Sequence, residues 1–264
     1  MKIGFIGCGN MAQAIIGGII NSKLTSPENI IASDAYKPTR EDAEKKFEIK
    51  TSPDNLEVAK ASDVIVLALK PQFYGDVIEE IKDSIKDDAL IITIAPGQTL
   101  DQVENLFGKE VKIVRTMPNT PALVGEGMTA MCPNKHTTDE DKKTAKSILE
   151  SFGKCEEVPE YMMDTVTAIS GSAPAYVFMM IEAMADGAVA KRMTRPLAYK
   201  MAAQAVLGSA KMVLESGKHP GELKDMVTSP GGTTAAAIRE LEKQGFRSAL
   251  IEALCVCQEK SEEL

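Results

Sequence analysis

The sequence predicts an α/β protein, a doubly wound sheet followed by an all-α region, and three observations carry this. Up to about residue 159, short β-branched runs alternate with helical stretches, the pattern of strands and helices wound onto one sheet. Two of those runs, "DVIVLAL" and "ALIITIA", are apolar without interruption, as strands buried on both faces require. From about Glu160 the strand signals vanish, and long Ala- and Met-rich helical stretches take over.

The elements follow in order. "KIGFI" (Lys2–Ile6) is a first strand, followed by a glycine turn and the helix "MAQAIIGGIINS". "NIIAS" (Asn29–Ser33) is a second strand, and Thr39 to Phe47 reads as a helix. Asp63–Leu69, Ala89–Ala95 and Val111–Met117 are further strands. Gly127–Cys132, a helix over Asp139–Phe152 and the strand Lys154–Val158 complete the sheet. The later helices are "AYVFMMIEAMADGAVAKR", "PLAYKMAAQAVLGSAKMVLESG" and "RSALIEALCVCQEKSEEL". Pro174 and Pro196 fit first-turn positions, and Gly217 fits a helix end. The expected domains are therefore 1–159 and 160–264. The later helices are apolar over more than one stripe, so they need cover on several sides. Either they form a self-contained bundle on the first domain or they pack against a second copy, and the second reading is preferred.

The 264 residues suffice for two ordinary domains, and 44% hydrophobic content supplies their cores. A net charge of −8 argues against nucleic acid and against an acidic membrane surface. The five cysteines form no paired framework and read as reduced core residues. The chain opens on a strand-like run, so no signal peptide is expected. No apolar run reaches about 18 residues, so no membrane span is expected. Together these point to a cytoplasmic protein.

"GFIGCGNMAQA" holds G-x-G-x-x-A at Gly7, Gly9 and Ala12, between a strand and a helix. This is the setting of a dinucleotide site in a Rossmann-type sheet. Gly7 permits the tight turn, Gly9 lets backbone approach a pyrophosphate, and Ala12 permits close helix–strand packing. The helix start offers free N–H groups and a positive dipole end to the phosphates. Asp34, at the end of the second strand, would bind ribose hydroxyls and disfavour a 2′-phosphate, which favours NAD, or it is a turn carboxylate. Ser33, Lys37 and Arg40 lie close enough to hold a phosphate, so NAD and NADP both stand. "ALKPQ", "IAPGQ" and "MPNTP" all follow strands at one sheet edge. Lys70 there faces either cofactor or solvent.

Near the C-terminal end, "TSPGGTTAAAIRELEKQG" breaks a helical region and restarts it at once. Gly231 and Gly232 allow backbone N–H groups to converge on an anion at the new helix start, which suits a substrate carboxylate. The plain alternative is a turn with a helix cap. The two histidines offer no obvious general acid: His136 is expected to be exposed and His219 to be structural at a helix start.

Taken together, "IGFIGCGNMA", "LALKPQ", "MPNTPALVGEGMT" and "HPGELKDMVTSPGGTT" make the chain resemble pyrroline-5-carboxylate reductases over nearly its full length. The resemblance implies a Rossmann domain followed by an all-α dimerisation domain, with dimers that assemble further, commonly to decamers. It implies reduction of (S)-1-pyrroline-5-carboxylate to L-proline, the last step of proline biosynthesis, with NADPH generally preferred and NADH compatible with Asp34. It places cofactor contacts on Ile6, Gly7, Cys8, Gly9, Asn10 and Met11, on Asn55, and on Ala68, Leu69, Lys70 and Pro71. It places substrate contacts on Gly231, Gly232, Thr233 and Thr234, with Thr234 beside the ring nitrogen. A hydroxyl of ordinary pKa is a poor acid, so orientation and polarisation are the expected role of Thr234. No metal is expected. The rivals are a β-hydroxyacid dehydrogenase relative, for which Lys191, Lys200 and Lys211 are candidates by default, and a non-catalytic cofactor-binding sensor.

Overall fold

The computed structural model describes residues 1–263. The chain forms two compact units, Met1–Ser172 with the chain end from Cys257, and Ala173–Val256.

The first unit begins with β1 (Ile3–Ile6), α1 (Asn10–Asn21), β2 (Ile30–Ser33), α2 (Lys37–Phe47), β3 (Lys50–Ser52), α3 (Asn55–Ala61) and β4 (Val64–Leu67). It continues with α4 (Tyr74–Ile81), β5 (Leu90–Thr93), α5 (Leu100–Phe107), β6 (Lys112–Met117), β7 (Gly127–Pro133), α6 (Asp139–Glu150), β8 (Gly153–Glu157) and α7 (Met163–Val166). One eight-stranded sheet runs β3-β2-β1-β4-β5-β6-β7-β8. The strands β1, β2, β4 and β5 are buried at every residue. Two apolar cores account for this, one on each face of the sheet. Ile3, Phe5, Val64 and Val66 point to the first, and Ile6, Ile65, Leu67 and Ile91 to the second.

All neighbouring strands are parallel except β6 and β7. Nine residues separate Met117 from Gly127, too few for the crossover that a parallel partner needs, so β7 turns back antiparallel. Strand order reverses between β1 and its two neighbours β2 and β4, which opens a crevice at the carboxyl ends of those strands.

The chain after β8 is pinned to this unit by charge. Glu160 accepts from Arg115, which is buried, at 2.9 Å and from the Leu100 N–H at 2.7 Å. A π-helical turn, Thr167–Gly171, follows α7 and closes with the Ser172 N–H on the Thr167 carbonyl at 2.8 Å. The chain end packs here too, with Ser261 Oγ donating to Asp164 at 2.7 Å.

The second unit holds α8 (Ala173–Ala190), α9 (Arg195–Ser216), α10 (Pro220–Met226), α11 (Thr233–Lys243) and the greater part of α12 (Phe246–Glu262). Pro174 and Pro196 sit in first turns, and Gly217 closes α9 in the left-handed conformation. Few of its residues are buried. Phe178 is 62% exposed, Met179 69% and Leu214 84%. An apolar groove of about 690 Å³ is lined by Tyr176, Met180, Met184, Leu241, Phe246 and Leu250. The stretch Glu160–Ala190 is also long and apolar enough to cross a membrane, by length and composition alone, and little of its apolar part is buried. Glu182 and Asp186 interrupt it, which is why it contains no unbroken apolar run of that length.

The cysteines divide. Cys8, Cys132 and Cys155 are buried as expected, but Cys257 is half-buried and Cys255 exposed, because α12 turns them to different sides. His136 also differs from expectation. It is half-buried, with Nε2 3.0 Å from Glu104 Oε1, because the segment folds back over the start of β6 through Asn134.

Candidate functional site

The glycine turn lies at the crevice. Gly7 has φ +94°, a conformation L side chains rarely adopt, and a Cβ there would stand 2.4 Å from the Ala68 carbonyl oxygen. The close approach locks the β1 turn against the chain leaving β4, whose Ala68 N–H donates to the Ile6 carbonyl at 2.8 Å. Gly9 differs. It is exposed, has φ −73° and ψ −173°, and a Cβ there would meet nothing within 4 Å. The space above Gly9 is open on the side from which a pyrophosphate would approach.

Helix α1 starts with Gly9 as its N-cap, no side-chain cap and no acidic residue in its first turn. By contrast α3, α5 and α6 are capped by Asp54, Thr99 and Thr138 and carry acids in their first turns. Those helices have satisfied their own donors, whereas the α1 start leaves N–H groups and the positive dipole end for a ligand. The open cradle at Gly9 and the bare helix start fit a dinucleotide pyrophosphate.

The β2 end lies beside the glycine turn. Asp34 Oδ2 accepts from the Cys8 N–H and Oδ1 from the Tyr36 N–H, both at 2.9 Å. The turn-carboxylate reading is therefore structurally true, and the same side chain ties the glycine turn to the β2 end. Arg40 Nη1 donates to the Asp34 carbonyl at 2.5 Å, while Lys37 pairs with Glu41 at 3.2 Å. Asn55 is the first residue of α3. It accepts from Ser33 Oγ at 2.7 Å and donates to Glu80 at 2.8 Å. The structure thus brings Gly7, Cys8, Asp34 and Asn55 together around the β1 and β2 ends. Ile6 is buried beneath them, Asn10 is exposed at the helix start, and Met11 packs on the first core.

Ala68, Leu69, Lys70 and Pro71 form the opposite lip. Lys70 is exposed and precedes the tight turn Pro71–Phe73. The loops after β5 and β6 share this edge, since those strands run parallel to β4. In the latter loop Asn119 is buried. It donates to the Ser170 carbonyl at 3.1 Å and accepts from the Met128 N–H at 2.9 Å. Asn119 lies in the MPNTP stretch that the sequence marks, whereas no local motif marks Glu80, which accepts from Asn55, or Arg115, which pairs with Glu160.

Burial, reinforced by the Asp34 carboxylate, pushes the Cys8 thiol up to about 12, so it is protonated at neutral pH and is no nucleophile. Burial does the same to Cys155. Alkylation of the folded protein at about pH 8, near the ordinary thiol pKa, is expected to spare both. Peptide mapping of iodoacetamide adducts checks this, and rapid labelling of Cys8 would overturn its assignment as a sealed turn residue.

The second candidate element lies in the helical unit. Gly231 has φ +67°, and the Gly232 N–H donates to the Ser229 carbonyl at 3.0 Å, closing the turn. Gly232 is the N-cap of α11, which also has no side-chain cap and no acid in its first turn. Thr233 is exposed and Thr234 half-buried, the first two residues of α11. His219 is the N-cap of α10, with Nδ1 accepting from the Gly221 N–H at 3.0 Å, the structural part expected of it. Lys191, Lys200 and Lys211 are exposed, and Lys211 pairs with Glu215 at 3.5 Å. Among the described residues no group of acids, histidines and cysteines could hold a metal.

Comparison with known proteins gives consistent findings. A family model described as pyrroline-5-carboxylate reductase dimerisation matches residues 160–264, and one described as NADP oxidoreductase, coenzyme F420-dependent, matches residues 2–97. The pyrroline-5-carboxylate reductase of Escherichia coli (strain K12) is 52% identical over 266 residues, spanning 100% of this chain and 98% of the relative. Among solved structures, the Plasmodium falciparum pyrroline carboxylate reductase with NADP bound superposes with a TM-score of 0.91 at 37% identity, covering 100% of this chain and 97% of that one. The pyrroline-5-carboxylate reductase of Coxiella burnetii gives 0.92 at 36% identity, covering 99% and 97%.

Proposed function

The chain belongs to the pyrroline-5-carboxylate reductase family, and on that premise we propose how its parts divide the work. It reduces (S)-1-pyrroline-5-carboxylate to L-proline with a hydride from NAD(P)H, the last step of proline biosynthesis. Residues 1–159 form the dinucleotide-binding domain and 160–264 the dimerisation and substrate domain. The observation that carries this reading is the uncapped α1 start above the open cradle of Gly9, at the point where strand order reverses.

Reduction of a C=N bond needs a hydride at carbon and a proton at nitrogen. Bound NAD(P)H supplies the hydride. The protein's part is to hold both partners. The α1 start and the Gly7–Met11 turn take the pyrophosphate, Asp34 and Asn55 the ribose side, and Ala68–Pro71 the opposite lip. The α11 start, with the N–H groups around Gly231 and Gly232, takes the substrate carboxylate, a local anion site in a chain of net charge −8. Thr233 and Thr234 add hydroxyls there. Thr234 orients and polarises the imine nitrogen. A protonated imine is the better hydride acceptor, so the substrate can bring its own proton.

The exposed apolar faces of α8 and α9 and the groove lined by Met180 and Phe246 are what a dimerisation domain needs, and they account for the long apolar stretch without a membrane. Further assembly of dimers to a decamer, a cytoplasmic location, and a substrate loop serving either its own subunit or its partner belong to the same reading.

The test is oxidation of NADPH with pyrroline-5-carboxylate, run beside NADH and beside 2-hydroxy and 3-hydroxy acids with the oxidised cofactors. Turnover confined to the imine supports the reading. Turnover of a hydroxy acid, or cofactor binding without turnover, overturns it.

A further inference from the structure

We infer that Asn119 is a positioning residue of the reaction. It ties the loop after β6 to the π-helical turn Thr167–Gly171, and so fixes that loop against the chain that enters α8. The inference rests on the reductase reading above and adds to it a residue that acts through others.

Asn119 stands where its residue type ordinarily serves a helix. It is the N-cap of the short 3₁₀ turn Thr120–Val124, and Asn in that position commonly accepts from an N–H two or three residues on. Its side chain makes no such bond. The amide is spent on distant partners instead. Nδ2 donates to the Ser170 carbonyl at 3.1 Å, and Oδ1 accepts from the Met128 N–H at 2.9 Å. Asn119 is buried, so without these partners its amide would carry the cost of its own desolvation.

The Ser170 carbonyl lacks the ordinary helical donor. That donor would come from the residue four places on, which is Pro174 and has no N–H. Nearby, Thr167 Oγ1 and Ser170 Oγ turn back onto the Met163 and Val166 carbonyls, both at 3.0 Å, a pattern that bends helices. The turn is wider than an α-helical one, with the Ser172 N–H on the Thr167 carbonyl at 2.8 Å. A second contact joins the same two segments. A Cβ on Gly171 would stand 2.6 Å from Met117 Cε. The loop after β6 is therefore packed on the turn through Met117 and bonded to it through Asn119.

The two segments serve different parts of the site. The loop after β6 lies at the sheet edge that carries the crevice. The turn runs up to Ser172, where the first stretch of the sheet unit stops, and α8 begins with the next residue. On the reductase reading, hydride transfer needs the cofactor edge and the chain that carries the substrate residues held in one geometry. A misplacement of about 1 Å then costs about 100-fold in rate. Asn119 is the fixed point between them, and neither of its bonds involves the glycine turn.

Three measurements test this: steady-state kinetics with pyrroline-5-carboxylate and NADPH, calorimetric binding of NADPH, and amide hydrogen exchange. Asn119→Leu removes both bonds at nearly constant volume. It is expected to lower kcat about 100-fold, with KM for the imine and Kd for NADPH within about threefold. The Ser172 N–H is expected to exchange faster in this variant, while β1 and β4 exchange as in the wild type. Gly171→Ala reaches the same junction from the other side. Its Cβ would press on the end of a flexible Met117 side chain, and Gly171 is not in the left-handed conformation, so the fold is retained. Its kcat is expected to fall about tenfold, less than in Asn119→Leu because the Asn119 bonds remain, again without a matching change in KM or Kd. An unchanged kcat in both variants overturns the proposal. So does a loss confined to KM or to NADPH affinity, which would make Asn119 a binding residue. If Asn119→Leu does not fold, the kcat of Gly171→Ala decides alone. A wild-type protein that does not reduce the imine overturns the reductase reading instead.

Discussion

Thr234→Ala is expected to lower kcat/KM for pyrroline-5-carboxylate about 100-fold while leaving the Kd of NADPH within about twofold, since one preorganised donor at a developing charge is worth roughly that much. Thr234 is the second residue of α11, next to the turn at Gly231 and Gly232, and on the proposed reading it belongs to the substrate half of the site and not to the cofactor half. On the proposed reading its hydroxyl holds and polarises the ring nitrogen and does not deliver a proton as a strong acid. Removing it should therefore scale the pH–rate profile downward without moving its inflections. Thr234→Ser retains the hydroxyl and should recover most of the activity, which a merely structural role for the methyl group would not allow. Unaltered turnover in Thr234→Ala would remove the residue from the mechanism. A displaced inflection would make the hydroxyl part of a proton relay and overturn the orientation role.

The parts of this molecule that the sequence discloses are those whose signals are local. The β1–turn–α1 unit is legible because strand, glycines and helix start lie within a few residues, and the turn needs positive φ at Gly7 and open space at Gly9. The strands β4 and β5 are legible because burial on both faces forces unbroken apolar runs. β3 is not: it is three residues long, polar, and paired on one side only. Helix α5 could have been read, because Thr99 and Gln102 form a capping box and Leu100, Val103 and Phe107 follow a helical spacing onto the core. The reversal of β7 was also available in the shortness of its connection. Contacts between distant residues were not. Nothing near Asn55 announces Ser33 and Glu80, and nothing near Arg115 announces Glu160. The compact unit built on the sheet reaches Ser172 and takes back the end of α12, a long-range packing result that a compositional change at residue 160 does not encode. The SPGGTT turn was legible as backbone chemistry, while the role of Thr234 rests on family resemblance.

The two glycines of the cofactor turn should fail in different ways. Gly7→Ala is expected to destabilise the first unit by about 2–4 kcal/mol, from backbone strain at φ +94° and from overpacking. Its Cβ would stand 2.4 Å from the Ala68 carbonyl oxygen, a backbone atom that cannot rotate away as a flexible side chain can. Relief requires β1 and β4 to part at the crevice, so cofactor affinity falls together with stability. Thermal unfolding should show a decrease of roughly 5–15 °C. Gly9→Ala meets neither obstacle: φ is −73° and no atom lies within 4 Å of the added carbon. It should lose only the small preference of an N-cap position for glycine over alanine, below about 1 kcal/mol. On the proposed reading the methyl group would instead occupy space that the pyrophosphate needs above the α1 start, so NADPH binding is expected to weaken by about 100-fold or more, on the scale of losing two charge-assisted hydrogen bonds. Melting curves and NADPH titrations on the two variants separate structure from binding. If Gly9→Ala bound NADPH like the wild type, the pyrophosphate could not lie over that turn. If Gly7→Ala melted like the wild type, the contact with Ala68 would not be what holds the crevice in shape.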